Sequence, residues 1–259
     1  MSDTSPLQKL PNSIDTAISN LTGPITQTAG ETIRDCWDLI FGGLRNVAEK
    51  KRLKYAASVE QLKKELESKI EDIPANKRTE PDIQVVCGAL SDAQYCVDKD
   101  ELRKMFANLI AASIHSDKLS DVHPSFSRII RSLSPFDARF LMRSYESFPL
   151  PLCTYSVHLL SGGKKEYRCD VTAVNGIVQS DARVSNTLEV LSFLGLIKMD
   201  YAHWFMEDAL YEAFSKCDIY SEVSRICASN PSEFKEVGIE KGIATLTSIG
   251  QKFVRVCIS

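Results

Sequence analysis

DKDELRKMFANLIAASIHSDKLSDVHPSFSRIIRSLSPFDARFLMRSYESF, residues Asp98 to Phe148, carries the most regular apolar periodicity and turn punctuation of the chain. Leu102, Met105, Phe106, Leu109, Ile110 and Ser113 recur at i, i+3, i+4 and i+7, which places them on one face of an α-helix. Asp98 followed three residues later by Glu101 has the form of a capping box with Asp as the cap, so the helix is expected to begin there. SDKLSDV is a polar loop, and Pro124 fits the first turn of a second helix carrying Phe126, Ile129, Ile130 and Leu133. Ser134, Pro135 and Asp137 repeat the signal as cap, first-turn proline and acid, ahead of Phe140 and Leu141 on a third helix. Three helices with short, well-punctuated turns pack as a bundle.

The polar residues of this stretch have structural roles available to them. His123, next to Pro124, reads as a helix-start neighbour whose ring is hydrogen-bonded locally. His115 at a helix end can meet the negative end of the dipole. Asn108, in mid-helix, is read as bonding within the bundle or between subunits. The stretch therefore reads as scaffold and not as a reaction centre.

Upstream, residues 1–28 read as a loosely docked, Ser-, Thr- and Pro-rich arm, in which Leu10, Ile14, Ile18 and Leu21 allow a short helix that the breakers Gly23 and Pro24 end. From Gly30 to Ile73 only Gly42 and Gly43 interrupt, so one long helix with a kink is expected. Ile33, Trp37, Ile40, Phe41, Leu44 and Val47 form a stripe, followed by the basic run Lys50, Lys51, Arg52 and Lys54. The stripe is read as docking onto the helices that follow; the competing reading lays it on an anionic membrane surface, with Trp37 and Phe41 inserted and the basic run at the headgroups. Val59, Leu62, Leu66 and Ile70 then give a narrow apolar face. This helix and the bundle make up an α-helical domain, residues 29–148.

Downstream, Phe148-Pro149-Leu150-Pro151 breaks the helical pattern and opens a second domain, residues 149–259. TYSVHLLSGGKKEYRCDVTAV permits a hairpin around Ser161-Gly162-Gly163, with a helical alternative left open. Asp181 to Leu194 is a helix ended by Gly195. Leu196–Met199 and Gly242–Leu246 are strands, and a last helix begins near Thr247. Helix, strand, strand, helix resembles a winged-helix domain, with residues 202–233 as a helical insertion. The expected fold is thus mainly α: a long N-terminal helix plus bundle, and a C-terminal winged-helix-like α+β domain. Arg183, Asn186 and Gln179 are the exposed positions that a base-reading helix would use, but Asp181 and Glu189 offset their charge, and protein contact is the favoured reading over DNA.

A chain of 259 residues with a net charge of −3 carries no electrostatic excess that would draw nucleic acid. The start has no basic region followed by an apolar run, and no window approaches a membrane span of about 20 apolar residues. A cytoplasmic protein is expected. Eight cysteines are scattered without a C-x-x-C pair and the four histidines have no zinc-ligand spacing, so buried reduced thiols are expected, with no metal and no cofactor.

Glu101, Leu102, Met105, Phe106, Ala107, Asn108 and Leu109, with Ile110 in place of a Leu, match an E-L-x-x-M-F-A-N-L-L-A helix. His123, Pro124, Ser125 and Phe126 match an H-P-S-F turn, and Leu133, Ser134, Pro135, Asp137 and Ala138 an L-S-P-x-D-A helix. With the ending LTSIGQKFVRVC, this resembles the Abi-alpha family, named for abortive infection, from about Trp37 to the C-terminus. The resemblance implies a bacterial protein associated with defence against phage, and it carries no catalytic residue or cofactor. The expected function is a non-enzymatic defence component acting through a protein partner or self-assembly. The alternatives are a winged-helix DNA-binding regulator and a membrane-active effector. The residues singled out for interaction are Trp37, Phe41, Lys50, Lys51, Arg52, Asn108, His123, Arg183 and Asn186.

Overall fold

A computed structural model of the protein describes residues 24–41 and 49–259, with side chains for 30–41 and 54–259. The chain divides into two compact units, one comprising the residues up to Ala138 together with Lys252–Ser259, the other Arg139–Gln251.

In the first unit, helices α1 (Pro24–Phe41), α2 (Glu49–Glu71), α3 (Ile83–Ala93), α4 (Asp100–Ser113) and α5 (Ser125–Ser132) pack around the stretch that opened the sequence reading. Leu102, Met105, Phe106, Leu109, Ile110 and Ser113 of α4 are all at most 1% exposed. Burying each large apolar side chain of this face contributes about 1.5–3 kcal/mol. The face is broader than its apolar residues, because Arg103 is also buried. Its guanidinium donates to Glu65 of α2 and to the Val97 carbonyl, and pairs with Asp100.

Helix starts differ from expectation in instructive ways. Lys99, not Asp98, occupies the cap of α4, and no side chain bonds there; Asp100 and Glu101 sit in the first turn, where their charge favours the dipole. Pro24 opens α1 instead of closing the arm, as its missing N–H costs nothing in a first turn. The expected single long helix is described as α1 and α2, on either side of residues 42–48. At α6 (Pro135–Ser144) the capping box is present in full. Ser134 N–H donates to Asp137 Oδ2 at 2.8 Å, and Asp137 N–H donates to Ser134 Oγ at 3.1 Å.

The second unit corrects the winged-helix expectation. Strands β1 (Leu150–Leu159), β2 (Lys164–Val174), β3 (Ile177–Val178), β4 (Ile197–Asp200) and β5 (Phe234–Leu246) form one antiparallel sheet in the order β3-β2-β1-β5-β4. The long strand β5 pairs with β1 from Leu150↔Ala244 to Leu159↔Phe234, and with β4 only from Ile197↔Leu246 to Asp200↔Ile243. The two expected wing strands are therefore the edge and the neighbouring strand of a larger sheet centred on β1. Positive φ at Gly162 and Gly163 turns β1 into β2, as the sequence permitted.

The stretch read as an insertion is a structural layer. Helices α8 (Ala209–Glu212) and α9 (Asp218–Ser229), which follow α7 (Ala182–Phe193), together with the 3-10 turn Ala213–Ser215 between them, bury Tyr211, Phe214, Ile219 and Val223 against Cys153, Tyr155, Val157, Val171 and Ala173 of the sheet. The Tyr155 hydroxyl, fully enclosed, donates to the Phe214 carbonyl at 2.8 Å. The last helix is α10 (Ser248–Cys257). Among the described residues no helix is long and apolar enough to cross a membrane.

The cysteine expectation also needs correction. Cys36 of α1 and Cys87 of α3 form a disulfide, while the other six cysteines are free thiols. Fifty-one positions separate the pair, so nothing in local spacing announces it.

Candidate functional site

In the first unit, Asn108 and Ala112 on one face of α4, His115 just past its end, Lys69 of α2, Lys118 and Val256 line a cleft of about 270 Å³. Its polar groups serve the end of α10. The last carbonyls of a helix lack intrahelical donors and carry the negative end of its dipole. Asn108 Nδ2 donates to the Cys257 carbonyl at 2.8 Å, and Lys118 Nζ donates to the carbonyls of Arg255 and Ser259 at 3.3 and 3.2 Å. Asp121 adds ion pairs with Arg255 at 2.9 Å and Lys252 at 3.5 Å. The hydrogen bond from Arg255 holds the Asp121 carboxyl below its ordinary range. Asn108 and Lys118 thus make one wall of the cleft a clamp on the end of α10.

His123 is engaged beside its own helix. Ser125 N–H donates to its Nδ1 at 3.1 Å, the Ser125 hydroxyl lies 2.7 Å from the same nitrogen, and the ring rests 6.1 Å from that of Phe126. Trp37 and Phe41 are core residues, 0 and 2% exposed, with ring centroids 4.6 Å apart. Lys50, Lys51 and Arg52 lie in the first turn of α2, with side chains outside the described residues.

In the second unit, Arg183 is folded back on the cap of its own helix. Its backbone N–H, Nε and Nη2 all donate to Asp181, the last at 2.6 Å. The pair cancels the charge that a nucleic-acid contact would need. Asn186 is exposed on the same helix. Of the residues singled out in the sequence whose side chains are described, Trp37 and Phe41 are core, Asn108 caps the end of α10, His123 bonds beside its own helix, Arg183 pairs with Asp181, and Asn186 is exposed. Among the described residues, no group of three or more His, Cys, Asp or Glu side chains is placed to hold a metal ion.

The feature that sequence reading missed surrounds the edge strand β4. Phe193, at the end of α7 just before it, is 89% exposed; Trp204 and Met206, in the loop just after it, are 55 and 98% exposed. The loop's base is fixed by polar contacts. Asp200 accepts from Lys198 Nζ at 3.0 Å and from Ala202 N–H at 2.8 Å, and lies 3.0 Å from His203 Nδ1, contacts that hold its carboxyl far below the ordinary range. Tyr201 donates to Asp170 and accepts from Thr154, and its ring lies so close over Gly242 that a Cβ there would meet it at 2.7 Å. A rigidly based loop thus presents a tryptophan and a methionine to solvent, beside a strand that is hydrogen-bonded along one edge only. Apolar side chains at such positions suit contact with another macromolecule.

Two compact units, a helical one whose polar motif residues cap and clamp and a sheet-based one with exposed apolar groups at an edge strand, define an α and β protein built around packing. The Abortive infection alpha family model matches residues 54–257, and the chain belongs to that family. No match is found among curated proteins or among solved structures.

Proposed function

We propose that the protein is a non-enzymatic component of bacterial defence against phage, acting by contact with a partner protein or with further copies of itself. Membership of the abortive infection alpha family supports the setting. The observation that carries the contact reading is the exposure of Phe193, Trp204 and Met206 on either side of β4. Large apolar groups on a monomer's surface mark interaction sites when they gather on one feature, and an unpaired strand edge offers backbone donors and acceptors beside them.

The other readings draw less support. The motif polar residues Asn108, His123, Ser134 and Asp137 each have a structural partner, which supports a scaffold role for the motif. Trp37 and Phe41, which a membrane-surface helix would expose, are buried. Arg183, which a DNA reader would need, is paired with Asp181.

The test is affinity capture of the tagged chain from phage-infected cells, with light scattering of the purified protein over a range of concentrations. A specific partner or a defined oligomer, lost in a Phe193→Ser, Met206→Ser double variant, is expected. A purified chain that cleaves nucleic acid or hydrolyses a nucleotide, with activity abolished by His123→Ala, would overturn the reading.

A further inference from the structure

The Cys36–Cys87 disulfide is the one covalent link between α1 and α3, with Cα atoms 5.3 Å apart. α1 precedes the stretch matched by the family model, residues 54–257, whereas Cys87 lies inside it. The bond therefore ties a helix outside the family-matched stretch to a helix within it. Docking of α1 buries Ile33, Trp37 and Phe41 to at most 2% exposure. That gain is opposed at one point: Trp37 Nε1 is buried with no hydrogen-bond partner among the described residues, and an enclosed N–H without an acceptor loses its hydration uncompensated. The two cysteines differ in exposure. Cys36 is 3% exposed, while Cys87 and its neighbour Gly88 are only half-buried.

We propose that Cys36–Cys87 is a thiol–disulfide exchange site that latches α1 onto α3 and is opened by a low-molecular-weight thiol. The incoming thiolate attacks Sγ of Cys87, and the electron pair of the broken S–S bond leaves on Cys36, which takes up a proton from solvent. A second thiolate attacks the reagent's sulfur in the mixed disulfide, releasing Cys87. Two low-molecular-weight thiols are oxidised to one disulfide as the protein disulfide is reduced to two thiols, and a low-molecular-weight disulfide reverses the sequence. With the latch open, α1 is held by non-covalent contacts, against the cost of the enclosed Trp37 N–H.

The test uses the full chain carrying Trp204→Phe, which leaves Trp37 as the only tryptophan of the two. After treatment with glutathione disulfide, alkylation under denaturing conditions is expected to block six cysteines and spare Cys36 and Cys87. Reduction of that protein with dithiothreitol should red-shift Trp37 emission and raise its quenching by acrylamide several-fold. Cys87→Ser in the same background should show the reduced protein's spectrum with or without dithiothreitol. Eight alkylated cysteines after oxidation would overturn the proposal. So would an oxidised protein whose Trp37 quenching is unchanged by dithiothreitol, or a Cys87→Ser variant that still responds to it.

Discussion

Asn108 Nδ2 reaches the carbonyl oxygen of Cys257 at 2.8 Å, across a separation of 149 residues. A side chain in the middle of the family's motif helix thereby closes the end of the last helix. Asn108→Leu removes the donor and leaves that carbonyl facing an apolar group, a loss of about 1–3 kcal/mol. Asn108→Asp should cost more, because a carboxylate would face the carbonyl and the negative end of α10. Urea unfolding of the two variants checks both the size and the order.

Gly250, in the first turn of α10, has no room for a side chain. A Cβ there would lie 1.9 Å from the Leu196 carbonyl oxygen, and its N–H is held by Thr247 Oγ1 at 2.9 Å. Thr247 in turn donates to the Gly195 carbonyl at 2.6 Å. The backbone must shift to admit a methyl group, so Gly250→Ala is expected to cost at least about 3 kcal/mol, at the upper end of single-substitution effects. Thermal melting of the variant, or its failure to accumulate folded, is the readout.

Arg103 and Glu65 form an enclosed ion pair, with side chains 7 and 13% exposed. Removing one partner strands the other's charge, so Arg103→Met should cost about 3–5 kcal/mol. The Arg103→Met, Glu65→Met double variant should recover a large part of that loss, since two apolar groups need no compensation. A double-mutant cycle measures the coupling.

Asp200 links stability to pH. Hydrogen bonds from Lys198 first, then His203 and the Ala202 N–H, depress its folded carboxyl below the ordinary value. The unfolded chain therefore binds a proton more readily than the folded one. The contribution is fully present above the ordinary carboxyl pKa of about 4 and is lost as pH falls through the lower folded value. Melting temperatures of wild type and Asp200→Asn should differ most near pH 7 and converge as the pH falls below 4.

What was legible in the sequence was local. The i, i+3, i+4 recurrence from Leu102 to Ile110 and the Ser134–Asp137 box need only neighbours a turn away, and both are present in the structure. The Asn175-Gly176 turn between β2 and β3, with φ of 50° and 77°, was equally local, a strong hairpin signal that the reading passed over. The sheet itself was hidden because β5 finds its main partner, β1, more than seventy positions earlier. Only the end of β5, Gly242–Leu246, reads as a strand; the preceding FKEVGIEK mixes charges with a glycine, and the fold shows Gly238 and Gly242 making room for His158 and Tyr201. Without that pairing, the two short segments near β4 could be mistaken for a wing. The exposed apolar group was hidden for a different reason: Phe193, Trp204 and Met206 have core-type side chains, and only the fold shows that nothing described covers them.

The most direct measurement of the account is phage plating efficiency on cells that express the chain with Phe193→Ser and Met206→Ser, at wild-type abundance and melting temperature. The account predicts that the wild-type chain lowers plating efficiency and that the variant does not. Undiminished protection by the variant would contradict it.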